Sequence, residues 1–68
     1  MSDGLRNRLK EKRAALGFTQ AELAEACGVT RKTINTVENG IFVPSTLLAL
    51  KLAKALNESV ESLFWIEH

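Results

Sequence analysis

The stretch TQAELAEACGVTRKTINTVENG, residues 19–40, leaves this chain little choice of fold. Thr19 and Thr30 each open an apolar-periodic run, and a Cys-Gly-Val turn separates the runs. Glu22 follows Thr19 by three residues, the spacing of a capping box in which each side chain satisfies an N–H of the other. Leu23, Ala24, Cys27 and Val29 are apolar before and through the turn, and Ile34 and Val37 are apolar after it. If both sets face one core, two short helices cross steeply with little room between them. Ala24 suits that crossing because a larger side chain would push the helices apart. Gly28 suits the turn because it frees the backbone and because a β-carbon there is expected to clash. This is the logic of a helix-turn-helix.

The rest of the chain supports a helical reading. A first helix is expected from about Asp3 to Leu16, with Leu5, Leu9 and Leu16 on one face and Gly17 ending it. The Thr19-capped helix is expected to end near Ala26, and the Thr30-capped helix near Glu38. Asn39-Gly40 then stops the third, both residues tolerating a left-handed cap. Pro44-Ser45 opens a fourth helix with Leu48, Leu52, Ala55 and Leu56 as its apolar stripe, ended by Asn57. A fifth starts after Ser59 and turns Val60, Leu63 and Phe64 inward. The tail, Trp65 to His68, is too short to assign. Strand alternation is not visible. The expected fold class is all-α: a compact five-helix domain.

At 68 residues the chain is near the lower limit for a core that holds alone. Cys27 is its single cysteine, so it has no internal disulfide, and Cys27 and His68 do not make a zinc site. A second subunit is the remaining way to add stability. Cys27 is expected to be a small core residue. No metal and no cofactor are expected. No apolar run is long enough to span a bilayer, and the N-terminus is polar, which suggests a cytoplasmic protein without membrane contact. Enzymatic chemistry is not expected: the fold holds no serine–histidine pairing and no phosphate-cradling glycine loop. Glu22 is better explained by capping.

Net charge is only +1, but its distribution is uneven. Arg6, Arg8, Lys10, Lys12 and Arg13 crowd the first helix, while Glu58, Glu61 and Glu67 collect near the end. A charge run of this kind is either a solvated face or an anion-facing one. The third helix is more informative. With Ile34 and Val37 inward, Arg31, Lys32, Asn35 and Thr36 point out. A protruding helix with two cations and two hydrogen-bonding residues suits the major groove of duplex DNA. Arg31 can donate to a guanine in bidentate fashion; Lys32 can reach a guanine or a phosphate. Asn35 can read an adenine or hold a phosphate, and Thr36 offers a methyl and a hydroxyl.

Residues 13–40 resemble the helix-turn-helix of the phage-repressor and Cro-like transcriptional regulators, the XRE family. The residues that carry the resemblance are Arg13, Leu16-Gly17-Phe18-Thr19-Gln20, Glu22-Leu23-Ala24, Gly28-Val29-Thr30, Thr33-Ile34 and Val37-Glu38-Asn39-Gly40. Pro44-Ser45 and the segment up to Leu63-Phe64 extend it over nearly the whole chain. The resemblance implies that residues 1–68 form one DNA-binding domain, acting as a homodimeric regulator, a repressor, on a near-palindromic operator. It implies base reading by Arg31, Lys32 and Thr36, with Thr30, Thr33 and Asn35 alongside. It implies backbone contacts at Gln20, in the first turn capped by Thr19, and at Asn39. Free N–H groups at a helix start favour an anion there. It also implies a partly buried ion pair between Arg13 and Glu38.

Where many relatives carry a polar loop after Asn39-Gly40, this chain has Ile41-Phe42-Val43. Either the backbone grip is weaker there, or these side chains pack on the core or on another subunit. Phe64-Trp65-Ile66 cannot all face one core from a helix, so Phe42, Phe64, Trp65 and Ile66 are candidate dimer contacts. A different role within the same family is that of an antitoxin, whose partner is a toxin or another effector protein.

Overall fold

The structure, a computed structural model, describes residues 4–67; the expectations for Asp3 and His68 lie outside them. Seven elements follow in order: β1 (Gly4–Asn7), α1 (Leu9–Ala15), α2 (Gln20–Cys27), α3 (Arg31–Glu38), α4 (Thr46–Leu56), α5 (Val60–Leu63) and β2 (Phe64–Glu67). The fold is therefore five helices closed by a small sheet, and not all-α. β1 and β2 pair antiparallel, Gly4 opposite Glu67 and Asn7 opposite Phe64. Two four-residue strands are too short for alternation to show in sequence, and each finds its partner only at the other end of the chain.

The strand changes the first helix. It starts at Leu9 instead of Asp3, and only Leu9 of the expected stripe is buried; Leu5 and Leu16 are exposed. Gly4 is a poor helix former, and pairing with β2 gives residues 4–7 their backbone partners instead. Side chains alternate across a strand, so Leu5, Asn7, Phe64 and Ile66 share one face. Arg6, Trp65 and Glu67 share the other. Arg6 is ion-paired with Glu67, and the Arg8 guanidinium carbon lies 4.7 Å from the Trp65 ring centroid.

Asn7 joins three elements. Its Oδ1 accepts from the Leu9 N–H, the first of α1, at 3.1 Å, while its Nδ2 donates to the Val37 carbonyl of α3 at 3.0 Å. The Arg8 N–H donates to the Leu63 carbonyl at 3.0 Å, tying the same corner to α5.

The other helices start at hydroxyl caps. Thr19 and Glu22 form a full capping box, with bonds of 3.0 and 2.8 Å. Thr30, Ser45 and Ser59 each accept from the N–H three residues on. Each such cap is worth about 1 kcal/mol. α2 runs one residue past Ala26 to Cys27 and ends at Gly28, whose φ of 69° is left-handed. A β-carbon built at Gly28 meets nothing within 4 Å. Backbone conformation, not the expected clash, is what requires glycine there. At the end of α3 the left-handed residue is Gly40, at φ 73°, while Asn39 is not left-handed.

Leu9, Leu23, Ile34, Leu52 and Leu63 are fully buried and come from all five helices. Each such side chain contributes about 1.5–3 kcal/mol. On α4 the buried stripe is Leu48, Leu52, Ala53 and Leu56, with Ala55 only partly covered. Phe64 completes the core from the first position of β2. Ile41, Phe42 and Val43 are 77%, 49% and 68% exposed, so they do not pack on the protomer's own core.

Candidate nucleic-acid interface

α2 and α3 pack on each other with Ala24 buried in the core they share. Ala24 is buried, and its carbonyl accepts the Val29 N–H at 3.0 Å as the chain turns through Gly28. Leu23, Cys27, Ile34 and Val37 are all buried behind the crossing. Cys27 lies within it as an inert thiol. Burial pushes its pKa up, with the nearby Lys51 charge opposing. A thiolate is the reactive form, so this shift lowers reactivity.

The start of α3 is where charge is presented. Arg31 and Lys32 are exposed in its first turn, while Asn35 and Thr36 are half-buried. The Thr36 hydroxyl donates to the Thr33 carbonyl at 3.0 Å, which leaves its methyl and a lone pair for other contacts. Asn39 Nδ2 donates to Asn35 Oδ1 at 3.0 Å. Asn35 therefore has its amide nitrogen left to donate, and its Oδ1, one lone pair engaged by Asn39, has a second left to accept. Thr30 and Thr33 share a hydroxyl–hydroxyl bond of 3.1 Å at the cap.

A continuous set of polar contacts fixes the two helix starts relative to each other. Arg13 Nε donates to Glu38 Oε2 at 2.7 Å and Nη2 donates to Oε1 at 3.3 Å. The pair is well covered, with side-chain exposures of 13% and 3%. Arg13 Nη1 also holds the Phe18 carbonyl at 2.8 Å, just before the α2 cap. Gln20 Nε2 donates to Glu38 Oε1 at 3.0 Å, and Gln20 Oε1 accepts from Arg31 Nη1 at 3.3 Å. The run Arg13–Glu38–Gln20–Arg31 thus reaches from under α3 to its exposed tip. Nothing local in sequence reveals the Gln20–Glu38 and Gln20–Arg31 links, because they join different helices. The capping box leaves the Gln20 and Ala21 N–H groups without partners among the described residues, so the start of α2 can receive an anion.

The candidate dimer residues separate. Phe64 is in the protomer's own core, while Phe42, Trp65 and Ile66 are exposed. Trp65 lies on the strand face covered by Arg8. Ile66 lies on the opposite face, beside Leu5. Leu5 in turn borders an open groove with Pro44, Ala49, Leu50, Val60 and Phe64. No helix among the described residues is long and apolar enough to cross a membrane.

Comparison with known proteins agrees with this geometry. The helix-turn-helix family profile matches residues 9–63. The HTH-type transcriptional regulator YgzD of Bacillus subtilis, itself uncharacterised, is 48% identical over 63 residues, covering 93% of this chain and 96% of the relative. An uncharacterised HTH-type transcriptional regulator of Methanothermobacter thermautotrophicus is 45% identical over 64 residues, covering 93% of each. Among solved structures, the restriction-modification controller protein C.AhdI from Aeromonas hydrophila superposes with a TM-score of 0.75. It is 37% identical, and the match covers 79% of this chain and 82% of that one. The chain belongs to the XRE-type helix-turn-helix family, whose members are DNA-binding transcriptional regulators and not a class of enzymes.

Proposed function

We propose that this chain is a transcriptional repressor that works as one domain over residues 1–68 and binds a near-palindromic operator as a homodimer in the cytoplasm. The observation that carries the reading is the pair of exposed cations, Arg31 and Lys32, at a helix start braced through Gln20 and the buried Glu38. In this reading Arg31, Lys32 and Thr36 contact base edges, with Asn35 donating to a base or a phosphate. Thr19, Gln20, Thr30, Thr33 and Asn39 lie along the backbone. Base contacts set specificity, and phosphate contacts set most of the affinity.

Two such helices reach successive major grooves when they stand about 34–36 Å apart. The groove of Pro44, Ala49, Leu50 and Val60, continued by Leu5 and Ile66, supports association with a second copy. The exposed Ile41-Phe42-Val43 loop leads into it at Pro44, and Phe64 is its floor. Trp65, on the other strand face, is left outside it.

Selection of sites from random duplex DNA tests the reading. Enrichment of two-fold-related half-sites is expected; recovery of no enriched half-site sinks the proposal. Arg31→Ala should relax preference at one base position with the fold intact. Leu50→Glu should shift a sizing experiment to monomer while leaving the melting of the protomer measurable.

A further inference from the structure

Five cations crowd residues 6–13, and the fold divides them. Arg13 turns inward to Glu38. Lys12 Nζ lies 3.8 Å from Glu58 Oε2, on the side of α1 that faces the end of α4. Arg6, Arg8 and Lys10 stay together and line one open cleft, whose other walls include Ala14, Glu38 and Trp65. A second depression brings Arg6 beside Glu38, Asn39 and Gly40, where α3 ends.

From this placement we infer that Arg8 and Lys10, joined by Arg6 when it exchanges Glu67 for a phosphate, grip the phosphodiester backbone of the same duplex that α3 reads, next to the backbone contact proposed for Asn39. The inference rests on the DNA reading above and extends it to a surface outside the helix-turn-helix. Three features carry it. The cations come from two elements, β1 and the start of α1, yet converge on one cleft. Among the described residues Glu38 is engaged by Arg13 and Gln20, and Glu67 by Arg6, which leaves Glu11 as the acid of the cleft beside Arg8 and Lys10. Arg8 lies over the Trp65 ring, and a guanidinium stacked by its face keeps its edge N–H donors for a phosphate. The cleft also touches Glu38, the residue through which Gln20 and Arg31 are braced. A duplex seated on α3 therefore passes close to it.

The salt dependence of binding decides the matter. Dissociation constants are measured for wild type, Lys10→Ala, Arg8→Ala and Lys12→Ala on the selected operator and on an unrelated duplex, across a range of salt. Lys10→Ala and Arg8→Ala should weaken both duplexes by the same factor and flatten the log–log salt slope by about 0.9 for each phosphate lost. With one phosphate lost per protomer of a dimer, the difference from wild type narrows by about tenfold between about 50 and about 200 mM salt. Lys12→Ala removes the same charge from the same helix and should keep the wild-type slope. Wild-type slopes in Lys10→Ala and Arg8→Ala overturn the inference, as does an equal flattening in Lys12→Ala. Loss confined to the operator also overturns it, by making these residues base readers. If the wild type selects no sequence, the operator reading fails on its own. The slopes on the unrelated duplex still decide whether the cleft grips phosphate. Because Arg8 also packs on Trp65, melting of Arg8→Ala is checked first, and Lys10→Ala, at an exposed position, carries the test if that variant is unfolded.

Discussion

The α2–α3 crossing and the β1–β2 sheet are fastened by different physics. At the crossing, Leu23, Ala24, Cys27, Ile34 and Val37 are buried, the helix starts are capped, and the one ion pair is almost entirely covered. In the sheet, Phe64 reaches the core and Asn7 reaches Val37, but the side-chain contacts across the other face, Arg6 with Glu67 and Arg8 over Trp65, stand in solvent. Exposed ion pairs are worth about 0–1 kcal/mol, whereas breaking a buried pair costs about 3–5 kcal/mol. The difference teaches that this small chain concentrates its rigidity where two helix starts must hold a fixed relation. It closes its ends with contacts that salt and solvent can loosen.

Substitutions on the two sides should rank accordingly. Glu38→Ala strands the Arg13 guanidinium and frees Gln20, and should cost about 3–5 kcal/mol in urea unfolding; a cost under about 1 kcal/mol would erase the contrast. Gly28→Ala forces a left-handed alanine into open space and should cost about 1–2 kcal/mol. Gly28→Asn should cost less, because asparagine tolerates that conformation. Thr30→Ala removes the α3 cap and should cost about 1 kcal/mol by thermal melting. In the sheet, Arg8→Ala should cost only about 0.5–1 kcal/mol. If it matches Glu38→Ala, the sheet is part of the rigid unit after all.

The smallest effect concerns pH. The Cys27 pKa is raised in the folded protein, so its contribution to stability is complete below the unfolded thiol value of about 8.5 and is lost as pH rises toward the folded value. As pH rises above the unfolded thiol value the wild type should lose stability relative to Cys27→Ala; parallel profiles would show that Cys27 is not protected by burial.

The same contrast governs what could be read from sequence. Thr19, Thr30, Ser45 and Ser59 announced their helices because a cap and the N–H it satisfies lie three residues apart. Leu23, Ile34 and Leu52 announced the core through helical period. β1 was hidden because its partner strand lies at the far end of the chain, and Leu5 fitted a helical stripe by coincidence of spacing. Position 28 needs glycine for its left-handed backbone and not for want of space, a distinction that the residue type alone does not carry. Within the site, the exposed cations of α3 were legible, but the bracing of Arg31 by Gln20 was not. Nor was the engagement of Asn35 by Asn39, since spacing does not reveal which of several nearby polar groups a side chain chooses.

Asn7 works as a linkage between the paired strands and α3. One amide holds the start of α1 with its oxygen and the last turn of α3 with its nitrogen. Asn7 is also the last residue of β1, so the sheet, the start of α1 and the last turn of α3 meet at one side chain.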